Sequence, residues 1–388
     1  MRIEEFALER YFGRYEFSVE HTMCSSDCET LSIRELLAFE PGAEETLLDL
    51  RLGYTEAQGS RTLRTEIARL YETVGPDDVL VCSGAEEAIF LFMHAVLKEG
   101  DHAVVQWPCY QSLFEAARST GCRVSRWQPE DGSAWHYSPE ALEKLITPET
   151  KVIIINNPHN PTGRLMTGEE FDTVKELARE AGAVLFSDEV YRGLEYDEDA
   201  RLPAGCDCSD GAISLGVMSK AYGLAGLRIG WVAARNRSIL ERMNMLKDYT
   251  TICSSAPSEK LAELALRYGS RIVDRNRSII RENLSRLDSF FSRHGDRFLW
   301  KRPDAGPIGF PKLLSPDAGE GAGAGQTSDA DADRFCRDVR EKAGVLLLPG
   351  SLYGDKQFKS HFRVGFGREN MPEVLSRLEA FLETERGK

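Results

Sequence analysis

The sequence predicts an α/β fold: a large domain with a mostly parallel sheet between layers of helices, plus a smaller α+β domain. Three observations carry this. Short, near-continuous apolar runs alternate with segments of helical period, as in a sheet covered on both faces. The character changes after Ser258, where long helical stretches lead into short strand-like runs. The chain has 388 residues, more than one hydrophobic core usually organises.

Taken in order, residues up to 40 read as polar and irregular, apart from a short helix over 31–39. Leu63, Ile67 and Leu70 fall at helical spacing within 63–71. Strands are expected at 79–82, 103–107, 151–155, 183–186, 212–215 and 229–233, with helices over 86–97, 112–118 and 168–181. Helices over 258–266 and 271–294 then precede strand-like runs at 308–313, 345–348 and 361–366. Residues 315–333, rich in Gly, Ala and Asp, lack the apolar content to pack and read as a mobile surface loop. The resulting division is an N-terminal segment (1–43) packing with the small domain, a large domain (44–280) and a small C-terminal domain (281–388).

The chain carries 48 basic and 62 acidic residues, a formal charge of −14. That excludes a nucleic-acid surface, which shows as a basic excess, but leaves room for a local site for a small anion. No apolar stretch is long enough to span a membrane and no signal core follows the charged N-terminus, so the expected compartment is the cytoplasm. Nine scattered cysteines and seven isolated histidines do not form pairs at metal-ligand spacing, and no metal is expected.

In open parallel sheets, ligands bind at the carboxyl ends of the strands. Here those ends carry Asn156-Asn-Pro-His-Asn-Pro-Thr-Gly163, Ser187-Asp-Glu-Val-Tyr191 and Val217-Met-Ser-Lys220, the last running on to Arg228. Lys220 directly follows an apolar strand, where burial would lower its pKa and make its amine nucleophilic. Pyridoxal phosphate needs such a lysine, an acid opposite its ring nitrogen and donors for its phosphate. Asp188 and Arg228 are candidates for the last two. Taken singly, Asp188 and Tyr191 read as a turn after a strand, Asn160 as an Asn-Pro turn former, and Arg228 as a surface cation. Their order along the chain sets them apart.

The motifs Asn-Pro-His-Asn-Pro-Thr-Gly, Ser-Asp-Glu-Val-Tyr and Ser-Lys-Ala-Tyr-Gly-Leu-Ala-Gly-Leu-Arg-Ile-Gly resemble those of fold type I pyridoxal-phosphate enzymes, and within them the class I/II aminotransferases of the aspartate aminotransferase superfamily. The resemblance implies that Lys220 forms a Schiff base with the cofactor and moves the substrate's Cα proton, while Asp188 pairs with the ring nitrogen. It implies that Asn160 and Tyr191 hydrogen-bond the ring's phenolic oxygen and that Tyr110 stacks on the ring. Gly84, Ala85 and Glu86, opening a helix, would receive the phosphate on their N–H groups, with Ser219 and Arg228 completing the cup. Arg363 would clamp the substrate carboxylate, with Asn160 beside it. Tyr54 would reach the phosphate of a second subunit, so a homodimer is expected.

Two departures stand out. Val217 occupies a position where the family commonly has a phosphate-binding Ser or Thr. His21-Thr-Met-Cys-Ser-Ser-Asp-Cys-Glu-Thr replaces the usual substrate-covering arm and would approach the substrate. In addition, Ala305-Gly-Pro-Ile-Gly-Phe-Pro-Lys and Lys247-Asp-Tyr-Thr-Thr-Ile-Cys-Ser-Ser are more distantly similar to capreomycidine synthase-like enzymes, which cyclise hydroxylated arginines. The leading expectation is an aminotransferase moving an amino group from an L-amino acid to a 2-oxo acid. The alternative keeps the cofactor but ends in elimination, cyclisation or oxidation of an amino acid such as a hydroxylated arginine, in secondary metabolism.

Overall fold

The computed structural model describes residues 2–130, 135–315, 330–354 and 356–386. Its centre is a seven-stranded sheet of β1 (Val79–Cys82), β2 (His102–Gln106), β3 (Arg123–Trp127), β4 (Thr150–Asn156), β5 (Val184–Asp188), β6 (Ala212–Val217) and β7 (Gly230–Ala233). The spatial order is β1-β7-β6-β5-β4-β2-β3. All neighbours are parallel except at β7, which runs antiparallel to β1 and to β6. Both faces are covered, so alternate residues of β4 enter different cores. Val152 and Ile154 join the larger cluster, whereas Ile153 and Ile155 pack with Phe171 and Val174 on the opposite face.

Periodicity does not single out β3. It is an edge strand, and Arg123 and Arg126 break its apolar run, as charge commonly does at an exposed edge. The N-terminal region also departs from expectation. Residues Ala7–Tyr15 form a helix, α1, rather than irregular chain. Its packing face is aromatic: the Tyr11 hydroxyl donates to the Leu347 carbonyl at 2.8 Å, and the Arg340 guanidinium lies 3.9 Å from the Tyr15 ring centroid. The long-range partners of this face, not an aliphatic repeat, stabilise the helix.

Helices α2 (Gly84–Val96) and α3 (Gly168–Glu180) pack on the sheet, and α4 (Ala256–Arg267) leads into the 25-residue α5 (Gly269–Arg293). Beyond them, a three-stranded antiparallel sheet has β10 (Phe362–Gly365) between β8 (Ile308–Gly309) and β9 (Leu348–Pro349). Most of the predicted 315–333 loop lies outside the described residues, and its end instead opens helix α6 (Ala332–Ala343). Among the described residues no helix is long and apolar enough to cross a membrane.

One contact positions the N-terminal segment over β10. His21–Thr22 pairs in parallel with Val345–Leu346. The Gly365 N–H then donates to the Met23 carbonyl at 3.0 Å, and the Glu29 N–H to the Gly367 carbonyl at 2.8 Å. A Cβ at Gly365 would collide with the Ser25 carbonyl oxygen, so this approach requires glycine. Gly365→Ala is therefore expected to cost about 1–3 kcal/mol. It should also raise amide exchange at Gly365 more than in the seven-stranded sheet, measured by hydrogen–deuterium exchange. Unchanged exchange there would contradict this account of the docking.

Candidate active site

The parallel register brings three strand ends together. Asn156, the last residue of β4, lies opposite Asp188, the last of β5, and β6 ends beside them at Val217. Over this edge sits a cavity of about 590 Å³. Its wall includes Asn160, Asp188, Tyr191, Ser219, Lys220, Arg228 and Arg363, together with Ala85, Glu86 and Tyr110.

Asp188 is 4% exposed, and burial pushes its carboxyl up to about 7, although its carboxylate accepts the Val190 N–H at 3.2 Å. The same loss of solvent lowers the pKa of the Lys220 amine. That amine donates to the Ser26 hydroxyl at 2.8 Å. Asn160 Oδ1 accepts from the Tyr353 hydroxyl at 3.1 Å and from Arg363 Nη1 at 3.2 Å, which leaves the amide's N–H₂ group for another partner. Among the described residues the buried Tyr191 hydroxyl makes no hydrogen bond of good geometry, with the Ser26 side chain close by, an arrangement that leaves it able to take a further partner. Tyr110 borders the cavity with its hydroxyl bound to Glu9 at 2.9 Å.

At the opposite end, α2 begins at Gly84 with no side-chain cap from Ser83, so its first N–H groups are open to an anion. Gly84 has φ of +83°, and a Cβ there would lie 2.5 Å from Arg228 Nη2. Arg228 itself sits in the left-handed region at φ of +52°, a strained conformation for a non-glycine residue. Its guanidinium lies against the α2 N-terminus. Ser219 is buried at the same end, and Val217 presents an apolar side chain there. Tyr54 is apart from this group: it is 90% exposed and absent from the cavity wall.

Several cavity residues carry no recognised motif. Phe6, Glu9, Phe12 and Glu16 enter from α1 and the chain flanking it, and Ser25, Ser26 and Asp27 from the segment that follows. Arg368 also lines the cavity, with its guanidinium paired to Asp27 at 2.9 Å and 3.2 Å. The spacing of Glu9, Phe12 and Glu16 on one helical face was a usable signal, but only once α1 was known to be a helix.

The residues present suit pyridoxal phosphate. An amine, a buried acid, a buried phenol and an uncapped helix start flanked by arginine match its aldehyde, ring nitrogen, phenolic oxygen and phosphate. The comparisons agree. The family described as "Aminotransferase class I and II" matches residues 35–378. Capreomycidine synthase from Streptomyces vinaceus is 27% identical, over 98% of this chain and 92% of that one. A PLP-dependent aminotransferase structure from Streptococcus suis 89-1591 is 31% identical, with a TM-score of 0.89 over 99% of both chains. The PLP-dependent cyclase OrfR is 30% identical, with a TM-score of 0.86 over 99% of this chain and 98% of that one. With its sheet order, its strand-end residues and this match in agreement, the chain belongs to the class I and II aminotransferase family of fold type I pyridoxal-phosphate enzymes.

Proposed function

We propose that the protein transfers the amino group of an L-amino acid to a 2-oxo acid, with Lys220 as the group that moves the Cα proton. The observation that carries this is the convergence of Lys220, Asp188, Asn160, Tyr191 and Arg363 on one cavity. Bound pyridoxal phosphate supplies a ring that withdraws electrons and so acidifies the substrate's Cα–H. The protein's part is positioning and charge. Asp188 holds a proton at the ring nitrogen, and Asn160 and Tyr191 orient the phenolic oxygen. Tyr110 borders the ring. The N–H groups of Gly84, Ala85 and Glu86, with Ser219 and Arg228, hold the phosphate. Val217 offers no hydroxyl to that cup, so more of the phosphate's binding rests on Arg228 and the helix start. Arg363 takes the substrate carboxylate, fixing which Cα bond faces Lys220.

A second reading has one observation in its favour, the charge on the cavity's α1 side. Asp27 already neutralises Arg368, which leaves no free arginine there for a second carboxylate. Glu9 and Glu16 remain, and the Glu16 carboxylate makes no hydrogen bond or ion pair among the described residues. That lining suits a cationic substrate side chain. It supports elimination or cyclisation of an amino acid such as a hydroxylated arginine, in keeping with the names of two relatives, capreomycidine synthase and the cyclase OrfR.

The protein also acts as a homodimer in this reading. Leu48, Leu52, Tyr54 and Tyr249 each stand 77–90% exposed, large side chains whose apolar surface a second copy would cover.

Purified holoenzyme incubated with common amino acids and a 2-oxo acid should release the donor's own 2-oxo acid, and Lys220→Ala should lower that rate at least about 10²–10⁴-fold. A ring-closed or eliminated product without oxo acid from the donor would replace the first reading by the second. Light scattering should give twice the chain mass, and Tyr54→Phe should weaken cofactor retention on dialysis. A monomer at assay concentration would remove the role given to Tyr54.

Asp188 sets a pH dependence whose sign follows from its burial. Its ordinary value is 3.8 and its folded value is about 7. Between these pH values the folded, ligand-free protein keeps a proton that the unfolded chain has released, so the contribution to stability falls as pH rises through that window. Asp188→Asn should therefore melt above wild type for the ligand-free protein at pH 8, with the gap closing towards pH 4, while binding pyridoxal phosphate more weakly. A gap independent of pH would exclude the buried carboxyl as its origin.

A further inference from the structure

Ser26 is absent from every recognised motif, yet its hydroxyl is 2.8 Å from the Lys220 amine. Among the described residues no other acceptor takes a hydrogen bond from that amine. The carboxylates of Asp27 and Asp188 act on it only through their charge.

The placement of Ser26 is fixed from both sides. On one side, the Met23 N–H donates to the Leu346 carbonyl at 2.9 Å, and the Cys24 carbonyl accepts from Arg363 Nε and Nη2 at 3.1 and 2.7 Å. On the other, Asp27 is held by Arg368 and Glu29 by Gly367. Within these few residues the chain has little freedom to move the hydroxyl away from Lys220.

We infer that Ser26 is a catalytic residue, whose hydroxyl holds the Lys220 amine whenever that amine is free and aims its lone pair at the substrate's Cα. This rests on the reading above, in which Lys220 moves the Cα proton. A neutral amine that donates one N–H to Ser26 Oγ turns its lone pair away from Ser26. The Cα–H bond then breaks and an N–H bond forms at Nζ, with the bonding electron pair left on the substrate. The new ammonium donates to the same oxygen, and a hydrogen bond from a charged donor is stronger than the one it replaces. Return of the proton from Nζ restores the neutral amine, so Ser26 gains and loses nothing over the cycle.

Two measurements on Ser26→Ala test this. The first is exchange of the substrate's α-hydrogen in D₂O, followed by NMR on the holoenzyme. Exchange should slow by about 10–100-fold, the range for losing a hydrogen bond to a charged group. The amino acid concentration giving half-maximal exchange should stay within about twofold, and Ser26→Thr should restore most of the rate. The second is the pH profile for capture of pyridoxal phosphate by ligand-free protein, followed by absorbance. Capture needs the neutral amine, so the profile reports its pKa, and losing an acceptor for the ammonium should shift that profile to lower pH. Thermal melting shows whether the variant is folded. Unchanged exchange together with an unmoved profile would overturn the proposal, because a merely structural serine moves neither. If wild type exchanges no amino acid's α-hydrogen, the reading of Lys220 fails, and the capture profile still decides whether Ser26 holds the amine.

Discussion

The arrangement around the cavity depends on one buried cation. Arg363 is 1% exposed, and taking a guanidinium out of water costs several kcal/mol unless its N–H groups find acceptors. The protein provides them from three separate stretches: the Cys24 carbonyl, Asn160 Oδ1 and the Tyr353 hydroxyl. Satisfying that single side chain therefore ties the N-terminal segment to the loop after β4 and to the chain between β9 and β10. The close approach at Gly365 is the local cost of bringing the Cys24 carbonyl near enough. A substrate carboxylate at Arg363 would meet a cation whose geometry is already set, which reduces the ordering needed on binding.

The same absence of water divides the cavity electrostatically. Desolvation works against whichever form is charged, so it raises Asp188 and lowers Lys220. Opposite shifts from one cause give a protonated or proton-sharing acid at the sheet edge and a more nearly neutral amine beside it. Glu86 keeps part of its surface exposed, yet loss of solvent around its carboxyl pushes it up to about 7. The phosphate end is handled differently. There the charge is carried by exposed Arg228 and by the dipole of α2, neither of which must be desolvated to act.

What was legible in the sequence follows from the range of the interactions involved. The strands of the sheet show themselves because they are buried on both faces, and a continuous apolar run needs no knowledge of its neighbours. Asp188 and Lys220 are legible for a related reason: each directly follows such a run. The edge strand β3 is half wet and carries two arginines, so its pattern is lost. Helix α1 is held by contacts to Leu347 and Arg340, more than 300 positions away, and its sequence alone reads as charged and irregular. Ser26 and Asp27 are harder still. Nothing in Cys-Ser-Ser-Asp-Cys indicates which side chain meets Lys220 and which meets Arg368, because that is decided by how the segment registers against β10.

That register also explains how the cavity can be constant at one side and specific at the other. The residues at the strand ends answer to the cofactor, whose atoms do not change, so their identities are constrained by its chemistry. The N-terminal segment is fastened largely through its main chain: His21 and Thr22 to Val345 and Leu346, the Met23 carbonyl to Gly365, the Glu29 N–H to Gly367. Main-chain hydrogen bonds do not depend on side-chain identity. The side chains of residues 25 and 26, and those that α1 turns inward, are thus free to vary without undoing the docking, whereas Asp27 adds a side-chain anchor to Arg368. A wall built this way can acquire a hydroxyl beside the lysine and carboxylates facing the substrate while the sheet edge beneath it stays as the cofactor requires.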